Sequence, residues 1–153
     1  MENEKLQKLI EKVKGLYSKN PEIWCPYFSA KITLNSDGFN HLLYKPNRLF
    51  RNVSEQILKL SLVEKALEII HKSGTLQEYR NIIEKTGTPA KDGFCKTSRV
   101  QYWAFHAIIG KEKMIKIVVV LRQVGDGKIT FWSVLPHKKF NNQKLFTDGI
   151  DEE

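Results

Sequence analysis

Residues 99–136, RVQYWAFHAIIGKEKMIKIVVVLRQVGDGKITFWSVLP, decide the fold. Three runs, 100–109, 115–124 and 128–135, are rich in Val, Ile and aromatic side chains. Compact glycine-containing turns separate them, Gly110-Lys111-Glu112-Lys113 and Gly125-Asp126-Gly127. Runs of that composition joined by such turns predict an antiparallel three-stranded meander. The register of the second hairpin decides which side chains share a face. A two-residue turn at Asp126-Gly127 pairs Arg122 with Phe131 and Val120 with Ser133. Lys116, Arg122 and Ser133 then share an open face, and Ile117, Val119, Leu121, Trp132 and Val134 line the covered one. A three-residue turn pairs Arg122 with Trp132 and breaks this grouping. The first register is the expected one.

Upstream segments supply helices to cover that sheet. Leu6, Leu9, Ile10, Val13, Leu16 and Tyr17 form one stripe of a helix over 3–17, ended by Asn20-Pro21. Residues 27–34 alternate apolar and polar and predict an N-terminal strand with one buried face. Ser36 or Asp37 then caps a short helix whose apolar face is Phe39, Leu42 and Leu43. His41 lies on the opposite side of that helix, with Lys45 one turn further on. A basic link over 47–52 carries Arg48 and Arg51. A long helix over 54–72 is apolar around most of its circumference and should be largely buried. Thr75-Leu76-Gln77-Glu78 reads as a capping box opening a further helix to about residue 85. A loop over 86–93 leads to Lys96-Thr97-Ser98-Arg99, and the meander exits into His137-Lys138-Lys139.

These segments make one α+β domain over 1–153, an antiparallel sheet covered on one face by helices. Residues 1–20 are a packing helix, 27–139 the core, and 146–153 an acidic tail expected to be mobile. The longest apolar run is far short of the roughly 20 residues that span a bilayer, so no membrane role is expected. The opening MENEKLQKLI carries acids at helical spacing and is unlike a secretory signal. Cys25 and Cys95 are far apart and lack a pairing pattern. They read as free thiols of a reducing cytoplasm. No pair of carboxylates is placed for metal catalysis, and no cofactor or metal is expected.

The chain carries a net charge of +8. Such an excess reads either as a lysine-rich surface or as a match for a polyanion, of which nucleic acid is the commonest. Only five of the 25 basic residues are arginine, at 48, 51, 80, 99 and 122. Their positions are informative because a guanidinium grips phosphate with a fork of donors.

From residue 27 onward the element order resembles RelE-type toxins of the barnase–EndoU–colicin–RelE (BECR) superfamily of ribonucleases. Two stretches carry the likeness. One is the strand 27–34 leading into Ser36-Asp37-Gly38-Phe39-Asn40-His41-Leu42-Leu43-Tyr44-Lys45, similar to the early His-bearing helix of phage-type members. The other is Ile129-Thr130-Phe131-Trp132-Ser133-Val134-Leu135-Pro136 followed by His137-Lys138-Lys139, where the family often places a hydroxyl or basic residue of the site. The resemblance implies a metal-independent endoribonuclease, toxin-like or phage-associated, that cuts RNA by transesterification. It also implies an antitoxin or immunity partner.

Such chemistry needs a base for the 2′-hydroxyl, cations for the developing phosphorane charge and an acid for the leaving oxygen. Histidine suits the first and last tasks, and Arg and Lys the second. The expected catalytic set is His41 as acid/base with Arg122 and Ser133. Lys45, Arg48, Arg51, Lys96, Arg99 and Lys138 are the expected phosphate ligands. His106 reads as a hydrogen-bonded core histidine, His71 as a helix-end cation, and His137 as a neighbour of the site or a solvated end. Trp103 and Trp132 read as core aromatics or as base-stacking platforms. The alternative reading is a noncatalytic nucleic-acid- or protein-binding module of a phage or mobile element.

Overall fold

A computed structural model describes residues 2–45, 49–86, 93, 94, 96–110 and 114–137, with the backbone alone at 85, 86 and 137. The expected loop at 87–92, Cys95, the turn at 111–113, Arg48, Lys138 and the tail 146–153 lie outside the described residues. Along the chain come α1 (Glu2–Lys19), β1 (Glu22–Cys25), β2 (Ala30–Thr33), α2 (Ser36–Leu43), α3 (Val53–Lys72), β3 (Glu78–Thr86), β4 (Lys96–Ile109), β5 (Ile115–Val124) and β6 (Thr130–His137). The strands form one six-stranded sheet in the order β1-β2-β6-β5-β4-β3.

The sheet is mixed, which corrects the antiparallel expectation. β2 runs parallel to β6, joined at Thr33 and Thr130, with the Thr33 N–H donating to the Ile129 carbonyl at 2.8 Å. The chain reaches that parallel position because α2 and α3 lie between β2 and the meander. The N-terminal strand is also shorter than expected. Pro26–Ser29 turn between β1 and β2, so residues 22–33 make a small hairpin instead of one strand.

The segment read as a helix after Thr75 is strand β3. It pairs antiparallel with β4 over nine residues, from Glu78 opposite Ala104 to Thr86 opposite Lys96. A capping box is a local signal, and here a full ladder outweighs it. Gln77, inside that box, instead accepts the His106 N–H at 2.7 Å through its side chain. Tyr79 and Ile83 alternate outward as exposed residues while Ile82 packs on the sheet.

α3 covers one sheet face and α1 packs against α3. Their Val13, Leu60, Val63, Ala66, Leu67 and Ile70 meet Phe105, Ile117, Val119, Leu121, Phe131 and Val134 in the main core. Edge-to-face aromatic contacts extend it, with Phe28 4.9 Å from Trp103 and Tyr27 5.6 Å from Phe105. Trp103 is thus a core residue. A second cluster, made only of strand residues, lies on the other face around Val100, Tyr102, Ala104, Val118, Val120 and Leu135.

α2 is held against the start of β6. Asn35, not Ser36 or Asp37, caps it by accepting the Gly38 N–H at 3.1 Å. Gly38 is buried where a Cβ would overlap the Phe131 carbonyl oxygen. Only glycine allows that approach, and neither backbone can give way cheaply.

Two stability outcomes follow. Gly38→Ala should destabilise by roughly 1–3 kcal/mol in urea unfolding, the usual cost of overpacking. The Tyr17 hydroxyl is buried with no hydrogen-bond partner among the described residues, and burial pushes its pKa well above the usual phenol value. Tyr17→Phe should therefore leave stability unchanged or raise it, since no bond is lost and a desolvated hydroxyl is removed. A fall of the melting temperature in that variant would contradict this.

Candidate functional site

His41 ends on the inner side of α2, not on its solvent side. It is 7% exposed, three residues beyond Gly38 and therefore on the helix side that meets β6. Phe39 and Leu42 are buried as well, so the short helix is wedged between sheet and α3. A single apolar stripe does not describe a helix with neighbours on two sides.

The His41 imidazole stacks on the Trp132 indole, with ring centroids 4.4 Å apart and planes inclined by 20°. The Arg122 guanidinium lies over the same indole, 4.3 Å from its centroid. Trp132 can reach both because β6 bulges there. Leu121 pairs with Phe131 and Val120 with Ser133, which leaves Trp132 as the extra residue. The bulge also resolves the register. Val120 faces Ser133 as expected, but Arg122 faces Thr130 instead of Phe131, and Trp132 turns to the face of Val118 and Val120. The reversal past Gly125, which has φ +54, is followed by three more residues before β6 begins. The loop is thus longer than either two or three residues.

Arg51 is buried at 5% exposure, which places it inside the protein rather than facing a solvent-borne phosphate. Its Nε donates to the His41 carbonyl at 3.1 Å, and its NH2 nitrogen lies 3.3 Å from His41 Nε2. NH1 pairs with Glu55 at 3.2 Å. A guanidinium only donates, so this geometry makes Nε2 an acceptor and leaves the ring proton on Nδ1. Arg51 also belongs to the corner between α2 and α3. Its N–H and the Gln56 side chain both donate to the Leu43 carbonyl, at 2.9 and 3.0 Å. These bonds occupy carbonyls that a helix end leaves unsatisfied.

Ser133 is fully buried and faces no open groove. Its hydroxyl accepts from Lys59 Nζ at 2.9 Å, and Lys59 donates also to the Val134 carbonyl at 3.3 Å. Lys59 comes from the buried side of α3 at 4% exposure, a position that no pattern in the sequence singles out.

Among the described residues the other expected ligands, Lys45, Lys96 and Arg99, do not converge. Lys45 lies beyond the end of α2, where its N–H donates to the Leu49 carbonyl at 2.7 Å. Lys96 and Arg99 are exposed on β4. Strand alternation puts Lys96 on the face of Tyr102 and Arg99 on the other. Lys96 is also six residues from Tyr102, roughly 20 Å along the strand.

The face opposite the helices, expected to be open and basic, carries carboxylates beside its cations. Glu84 meets Tyr102 and Arg122 there. Four residues along β4, His106 Nε2 lies 2.6 Å from Glu78, a hydrogen-bonded histidine as expected. Lys116 shares that end of the face; burial pushes its pKa down, and Glu78 opposes the shift. His71 Nδ1 lies 3.2 Å from the Trp24 carbonyl, on the far side of α3. A cleft of about 450 Å3 beside it, lined by Trp24, Glu64 and His71 among others, contains none of the expected site residues. Among the described residues no helix is long and apolar enough to cross a membrane. No group of three His, Cys, Asp or Glu among them could hold a metal ion.

The Lys59–Ser133 contact is directly testable. Ser133→Ala leaves a buried ammonium short of an acceptor and should cost about 1–3 kcal/mol by chemical denaturation. A neutral result would mean the hydroxyl contributes nothing there.

No protein-family model, curated protein or solved structure matches the chain.

Proposed function

We propose that this chain is a BECR-type endoribonuclease, toxin-like or phage-associated, cleaving RNA by transesterification without a metal. The observation that carries the reading is the imidazole–indole–guanidinium contact. His41, Trp132 and Arg122 come from α2, β6 and β5 and meet within 4.4 Å of one indole. An acid/base group and a preorganised cation gathered at one indole are the two kinds of group that phosphodiester cleavage by a ribose hydroxyl requires.

In this reading His41 Nε2 accepts the 2′-hydroxyl proton as the 2′-oxygen attacks phosphorus. Its lone pair is free for that step only once the Arg51 donor has released Nε2. Arg122 stabilises the phosphorane charge. A 2′,3′-cyclic phosphate forms as the P–O5′ bond breaks, and protonated His41 returns its Nε2 proton to the leaving 5′-oxygen. Arg51 orients the imidazole through its bonds to the His41 carbonyl and ring, and Ser133 supports β6 from behind through Lys59. RNA is the substrate, and an antitoxin or immunity protein is the expected partner.

A second reading, a noncatalytic RNA-binding module, is favoured by the burial of His41 and Arg51. Incubation of single-stranded RNA with the protein and excess EDTA separates the two. The ribonuclease reading expects cyclic-phosphate ends, and a His41→Ala variant slower by roughly 10²–10⁴-fold, the usual contribution of a positioned acid or base. Intact RNA that is still bound in a salt-sensitive manner would establish the binding module instead.

A further inference from the structure

Arg122 is already bound to a carboxylate. Its Nε donates to the Tyr102 hydroxyl at 3.1 Å. That hydroxyl lies 2.9 and 3.1 Å from the two oxygens of Glu84 and donates to them. The circuit closes with Arg122 NH2 3.5 Å from Glu84 Oε2. One carboxylate is thus held by a guanidinium and a phenol, the same donors that would hold two oxygens of a phosphodiester.

Three features make Glu84 the replaceable member. Its ion pair with Arg122 is long, and the side chains are 31% and 19% exposed, so water and salt weaken it. Arg122 does not depend on it, being fixed also by the Trp132 indole at 4.3 Å and by Tyr102. Glu84 stands near the end of β3, an outer strand of the sheet, and can leave by side-chain rotation alone. Tyr102 keeps its proton as a donor at neutral pH, because burial raises its pKa and only part of that is offset by Arg122.

We infer that Arg122 and Tyr102 form a subsite for an RNA phosphodiester and that Glu84 fills it in the free protein as an internal competitor. This rests on Arg122 being a phosphate ligand, as read above. RNA then binds by displacing the carboxylate, and Tyr102 transfers its hydrogen bond from Glu84 to a phosphate oxygen.

The test is the affinity of wild-type and variant protein for a 2′-O-methyl RNA oligonucleotide, which cannot be cleaved by this route, read by fluorescence anisotropy at low salt. Glu84→Gln keeps the shape and an acceptor for Tyr102. It should bind about fivefold tighter, the effect of removing a partly exposed competing ion pair. Glu68→Gln, an exposed carboxylate on α3, controls for the general loss of one negative charge. The gain at Glu84 should exceed the gain at Glu68 and shrink when Tyr102→Phe is added. Equal gains at the two positions overturn the competitor. A gain at Glu84 that persists unchanged with Arg122→Ala, while Arg122→Ala alone binds like wild type, removes Arg122 as a phosphate ligand and with it the reading beneath. No binding by any of the proteins overturns both.

Discussion

Everything proposed for this molecule depends on how closely α2 approaches β6. Gly38 rests on the Phe131 carbonyl without a side chain between them. That contact fixes the depth of a two-turn helix which has too few internal hydrogen bonds to hold itself. Its ends are secured from outside, by Asn35 at the start and by Arg51 and Gln56 at the last carbonyls. With the helix at that depth, His41 has nowhere to go but over Trp132. The bulge in β6 completes the arrangement by turning the indole towards both α2 and Arg122.

The two faces of the sheet divide the labour. The helix side is an apolar core with Lys59 as its buried charge beside Ser133. The other side has an apolar floor of Val, Ala and Leu, with charged groups in opposite-sign sets. Glu84 lies with Arg122 and Tyr102 at one end, and Glu78 with His106 at the other. In a chain of net charge +8, Arg122 and His106 on this face are therefore each matched by a carboxylate. Excess positive charge describes the protein's surface at large and does not by itself locate a site.

The meander was legible because its signals are local. Alternating β-branched residues between glycine turns gave β5 at its observed ends, β4 four residues short at its start and β6 two residues early at both ends, and put Ile117, Val119 and Leu121 on the core side. The two long helices were legible from their apolar periods. What failed depended on partners distant in sequence. β3 read as a helix because Thr75 and Glu78 imitate a cap, and that error hid Glu78 and Glu84 as ordinary helix-surface acids. His41 was placed on the outside because a helical stripe assumes one buried side. Trp132 lay on the wrong face because no turn residue announces a bulge five positions later.

The most direct test of this geometry is the proton spectrum of the histidine rings. An indole stacked at 4.4 Å should displace the His41 ring protons upfield by its ring current, relative to those of exposed His71. In a Trp132→Leu variant the His41 resonances should return towards the His71 position while His71 itself stays unmoved. His41 resonances that already match His71 in the wild-type protein, or that do not move when Trp132 is replaced, would contradict the stacked arrangement on which the site is built.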